Sequence, residues 1–187
     1  MRKSDVTAIF VLILAFLSTQ GLAQTRGKIK REQKALPSAL RPGSVESGET
    51  EQLKVYAFRL LPKQDLRKQI ELFAKEKKIQ AGLILTAVGS LQKTSLRLAD
   101  QKDSTTFEGK YEIVSLVGTI APDGVHLHLS VSDSTGKTIS GHLVEGCEIY
   151  TTAEIVLAEA RGLLFTREQD TQTGYKELKV RKITRLK

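Results

Sequence analysis

The sequence has 187 residues, a single cysteine, no tryptophan and a formal net charge of +8. That length suits one domain, and a lone cysteine excludes an intrachain disulfide framework, so a packed core or self-association must hold the fold. The charge is uneven: residues 24–41 carry six basic side chains against Glu32, residues 161–187 carry eight against three acidic ones, and residues 42–160 are mildly acidic. This argues against duplex DNA binding by the middle of the chain, because such binding needs several Lys or Arg side chains to meet phosphates from one face.

The chain opens on Met1-Arg2-Lys3, runs through an apolar stretch over residues 8–17 and reaches small residues at Gly21 and Ala23. A basic start, a short apolar run and small residues form the pattern of an export signal over residues 1–23. The alternative is a retained anchor, although the run is short of the roughly 20 residues needed to span a bilayer. A cleaved signal implies a periplasmic or secreted protein with no membrane attachment afterwards. Residues 24–50 are rich in Lys, Gly, Ser and Pro without an apolar period, and read as a disordered basic linker.

Order is expected from residue 51 onward. Residues 52–60 alternate as a strand buried on at least one face, and Pro62 ends it. Asp65 stands where a helix N-terminus favours negative charge. Leu66, Ile70 and Phe73 then recur at helical spacing, with Leu72 and Ala74 widening the stripe and Glu71–Lys75 as an i,i+4 pair. The helix is expected to stop before Gly82. Residues 83–88 read as a short buried strand closed by Gly89-Ser90, and residues 94–98 as a separate one. Residues 107–120 are β-branched and aromatic, and Pro122-Asp123-Gly124 supplies a tight turn. Residues 125–133 alternate clearly, residues 134–137 turn the chain, and residues 138–144 return. Residues 147–157 give another long strand, opened by Cys147 as a small buried apolar side chain. Residues 163–166 and 175–180 close the chain as a hairpin. One principal helix and many strands on short connections make an α+β domain with a mainly antiparallel sheet.

All three histidines, His126, His128 and His142, lie in the segment from 126 to 142. Strand positions two apart face one side, so His126 and His128 project together. The short connection through Gly136 pairs the next strand antiparallel and brings His142 alongside. Three converging imidazoles match the ligand set of an open zinc site with a fourth position for water or substrate; ordinary strand histidines satisfied by hydrogen bonds fit the same spacing. A zinc site also needs acceptors on the outer ring nitrogens, and Asp133, Glu145 and Glu154 are the candidates by proximity in sequence.

The stretch over 124–136, Gly-Val-His-Leu-His-Leu-Ser-Val-Ser-Asp-Ser-Thr-Gly, followed by Ser140-Gly-His-Leu-Val-Glu-Gly-Cys-Glu-Ile-Tyr-Thr-Thr-Ala-Glu-Ile155, resembles the signature of the plants-and-prokaryotes-conserved (PPC) domain family. Residues 109–118 and the opening strand and helix are similar to its other segments, so the likeness covers roughly 53–166 within an expected domain over 51–187. The resemblance implies a two-layer fold, a homotrimer, and a divalent metal, often zinc, at His126, His128 and His142. Plant members bind DNA through AT-hook segments, and no Arg-Gly-Arg-Pro core stands in this chain. The expected function is an exported, trimeric, metal-holding binding protein with a small ligand still to be named. A DNA-binding protein is one alternative. A metal-dependent hydrolase, with Glu145 or Glu154 as general base, is another.

Overall fold

The computed structural model describes residues 47–183, and the expected export signal and most of the linker lie outside them. The described elements are β1 (Leu53–Leu60), α1 (Leu66–Glu76), β2 (Gly82–Arg97), β3 (Thr105–Ala121), β4 (Gly124–Ser132), β5 (Thr138–Leu143), β6 (Glu148–Ala160), β7 (Leu163–Gln169) and β8 (Lys176–Lys182). Six strands form one sheet in the order β1-β6-β2-β3-β4-β5, with β5 also touching β2, and β7 pairs β8 as a second, two-stranded sheet. Every strand pairing among the described residues is antiparallel. With a single short helix among the described residues, this is an α+β arrangement, as the sequence suggests. No helix of the described residues is long and apolar enough to cross a membrane.

The period-2 pattern decides which side chains enter the core. From β4 and β5 come Leu127, Leu129, Val131 and Leu143, all buried, while the residues between them point to the other face. They join Ile84, Leu91, Leu96, Ile120, Ile149, Ile155 and Leu157 in one cluster, closed by Leu66, Ile70 and Ala74 of the helix. Phe73 stacks on Phe58 of β1 with ring centroids 4.1 Å apart. The helix is fixed at its start: Asp65 Oδ1 accepts from Lys68 N at 2.9 Å and Asp65 Oδ2 from Gly146 N at 2.6 Å. Its Leu66 N donates to Cys147 O at 2.8 Å. Cys147 is itself fully buried just before β6, and burial pushes its thiol up to about 12.

The structure corrects three local expectations. The strands expected over 83–88 and 94–98 are one continuous β2 that ends at Arg97, and Gly89 marks a bulge inside it rather than its end. Gly89 has φ +140, and a Cβ there would stand 2.1 Å from Thr152 O of the neighbouring strand. Glu71 pairs with Arg67, one turn back, at 2.9 Å rather than with Lys75. Leu72, expected in the apolar stripe, is exposed.

The face of the sheet opposite the helix is apolar yet open. Leu53, Val55, Leu85, Val88, Val114 and Val117, from β1, β2 and β3, are each between 46% and 57% exposed. Part of that face is covered by the β7–β8 hairpin, where Phe165 and Leu163 pack with Ala81, Ala121 and Ala160.

Candidate metal centre

The histidines sit on this open face, at the β4–β5 edge of the sheet. His128 lies opposite His142 in the β4–β5 register, and His126 is two residues along β4, opposite Thr119 of β3. The register is set by the turn between the strands. Asp133 Oδ1 accepts from Thr135 N at 2.8 Å, from Thr135 Oγ1 at 2.6 Å and from Lys137 N at 3.1 Å. On the other side, Gly118 lets β3 approach: its φ is +140, and a Cβ there would stand 2.0 Å from His126 O.

The rings converge. Centroid distances are 5.1 Å for His126–His128, 5.1 Å for His126–His142 and 4.4 Å for His128–His142. His126 Nε2 and His128 Nε2 are 3.2 Å apart, and one ligand atom from each of the three rings lies within 4.8 Å of the others. Two nitrogens bound tetrahedrally to one zinc ion at about 2.0–2.1 Å stand about 3.3 Å apart. The spacing and the donor set therefore fit a small divalent cation. His126 and His128 are exposed and His142 is half-buried, so an ion there would keep an open side.

The electrostatics favour the neutral form of two of the rings. Burial lowers the His142 imidazole to about 4, with the Arg97 charge as the next cause and the other two histidines after it. Burial also lowers His126, followed by Arg167 and His128, while Glu177 opposes the shift. A metal ligand must be deprotonated, so this bias favours coordination.

Of the candidate outer acceptors, the structure brings none against the imidazoles. Asp133 spends its carboxylate on its own turn. Glu145 pairs with Lys68 of the helix at 2.9 Å. Glu154 faces Arg59 and Val88 in the strand registers, with β2 and β3 between it and β4. In their place stand residues the sequence did not single out. Arg97 is paired with His142 across β2–β5, and its Nη1 donates to Gln101 O at 3.3 Å. Arg167 of β7 donates through Nη2 to Thr119 Oγ1, beside His126, and through its backbone N to Asp123 Oδ2 at 2.9 Å. These side chains, with Lys102, Lys176 and Glu177, line a cavity of about 700 Å³ that reaches His126 and His142. Arg97 is the outward residue of an alternating stretch and Arg167 lies in a polar hairpin, so neither carries a local signal of its role.

Residues 47–161 match the family model described as the Plants and Prokaryotes Conserved (PCC) domain. A curated relative, "Bifunctional protein GlmU" of Synechococcus sp. (strain JA-3-3Ab), is 48% identical over 160 residues, which is 83% of this chain and 26% of that protein. The chain spans about a quarter of the length of the curated relatives it matches. Among solved structures, a hypothetical protein from Salmonella cholerae-suis aligns with a TM-score of 0.72 and 36% identity over 73% of this chain and 99% of that one. A metal-containing protein from Archaeoglobus fulgidus aligns with a TM-score of 0.60 and 29% identity over 69% and 95% of the two chains. A protein from Bacteroides thetaiotaomicron to which DNA binding is ascribed aligns with a TM-score of 0.59 and 25% identity over 70% and 97%.

Proposed function

Because the chain belongs to the Plants and Prokaryotes Conserved (PCC) domain family, we propose that it is an exported binding protein, periplasmic or secreted, whose His126, His128 and His142 hold one divalent cation. The observation that carries this reading is the convergence of three ring nitrogens from two paired strands within 4.8 Å of one another. We assign zinc, since a small set of imidazoles with an open side suits that ion. The metal-containing relative from Archaeoglobus fulgidus supports the assignment. When bound, the cation would supply Lewis acidity at an open coordination position. The chain's own residues then divide the work: Asp133 fixes the turn that sets the His128–His142 register and Gly118 lets β3 back the site, while Arg97 and Arg167 stand beside it without being ligands. We assign the exposed apolar face of β1, β2 and β3 to contacts between copies in a homotrimer, because contiguous apolar surface of this kind marks an interface.

Metal analysis of the purified protein tests the reading. About one equivalent of zinc per chain is expected, falling to a small fraction in His128→Ala. Equal metal content in the two proteins would sink it.

DNA binding, ascribed to the Bacteroides relative, is the second reading. The mildly acidic composition of residues 42–160 weighs against it. Salt-dependent duplex binding by a variant lacking residues 24–41 would revive it, and loss of all binding in that variant would confine it to the basic segment.

A further inference from the structure

We propose that the cavity beside the three imidazoles binds a small oxyanion, the carboxylate or phosphate group of a soluble ligand, held between Arg97 and Arg167. The inference rests on the metal-site reading for one wall of the site and adds the class of ligand that the opposite wall selects.

Three observations carry it. First, the cavity is built from separate parts of the fold: Arg97 at the end of β2, the imidazoles on β4 and β5, and Arg167 on β7. Its volume of about 700 Å³ lies in the range of small-molecule sites. Second, its cationic groups are incompletely used. Arg167 Nε is buried without an acceptor among the described residues, although the same guanidinium reaches Thr119 through Nη2. Burial holds the Arg167 guanidinium below its ordinary range, a sign of a charge short of solvent. A buried donor left without a partner is costly, and an oxyanion supplies acceptors in the planar array that a guanidinium matches.

Third, basic groups outnumber acidic ones at the cavity, where Arg67, Arg97, Lys102, Arg167 and Lys176 stand against Asp100, Asp123 and Glu177, and two of the three carboxylates are already engaged. Asp123 takes the backbone N–H of Arg167 at 2.9 Å, and Glu177 Oε1 takes the Thr173 hydroxyl at 2.9 Å. Among the described residues, the Arg97 side chain gives one hydrogen bond, at 3.3 Å, to the Gln101 carbonyl. Lys102 and Lys176 at the rim add to the positive field. The lining is thus net cationic, which favours an anion over a second metal ion or an amine.

Calorimetric titration of zinc-loaded protein, freed of excess metal, with inorganic phosphate and separately with acetate tests the proposal. Saturable one-to-one binding of at least one anion is expected, with Arg167→Gln and Arg97→Gln each weakening it about tenfold or more, the loss typical of one charge-assisted contact. The stronger of the two anions identifies the group. Both variants are expected to hold zinc, since neither side chain is a ligand, and that content also shows that they fold. Zinc bound without saturable binding of either anion overturns the inference and leaves the metal reading intact, as does unchanged affinity in both variants. Displacement of phosphate by a short DNA duplex would make the occupant a nucleic-acid backbone and overturn the small-ligand assignment. Protein that holds no zinc, yet binds phosphate in an Arg167-dependent way, defeats the metal reading and upholds the inference.

Discussion

The two faces of β4 and β5 are made from alternate residues of the same short segments, and they do opposite things. Towards the helix, Leu127, Leu129, Val131 and Leu143 are buried in the core. Away from it, the exposed His126 and His128 and the half-buried His142 form one cluster. A pleated strand keeps the two sets apart without any additional device. The lesson is that stability and ligand chemistry are separable here residue by residue, although they share a backbone and a register.

The largest effect that separates them is expected at the inner face. Leu129→Ala should cost about 2–5 kcal/mol of unfolding free energy in urea melts, because it leaves a cavity among fully buried neighbours. A loss below about 0.5 kcal/mol, the size of an ordinary surface change, would erase the contrast between the faces.

The open face itself contains two regions, the imidazole edge and the apolar patch, and Val117 lies between them, opposite His128 in the β3–β4 register. Val117→Lys is expected to change the sedimentation behaviour from trimer to monomer while shifting the monomer's urea midpoint little, since the side chain is 53% exposed. A wild-type protein that sediments as a monomer would remove the role given to the patch.

The smallest effect is on pH dependence. His142 is depressed from 6.5 to about 4 in the folded protein. Between those values the unfolded chain binds a proton at this residue that the folded one does not. The metal-free protein therefore loses stability as pH falls from about 6.5 towards about 4, and the contribution is complete above that window. Urea melts of metal-free His142→Ala should show a shallower loss over the same window. An unchanged slope would mean that another group governs it.

Much of the site is legible in the sequence. The alternation around His126 and His128, and the short turn through Gly136 that returns His142, follow from local rules that hold in any strand or hairpin. The bulge at Gly89 was not legible, because a glycine ends a strand or kinks it according to what the neighbouring strand needs, and Thr152 decides that from far along the chain. The partner of Glu71 was ambiguous for a similar reason: Arg67 and Lys75 are both one turn away, and Arg67 is the one held at the surface by its Nη1 bond to Leu143 O.

The sequence by itself determined the element types, the principal helix, the inward and outward residues of the strands and the three histidines, since periods of 2 and 3.6 are written in neighbouring positions. Only the tertiary structure decided what surrounds the imidazoles. Arg97 meets His142 because β2 and β5 pair, and Arg167 arrives because the closing hairpin lies over Thr119. Asp133, Glu145 and Glu154 are near the histidines in sequence and are drawn elsewhere by the turn, the helix and a distant strand. Proximity along the chain fixes which way a side chain points, and only the packing of distant segments fixes what it meets.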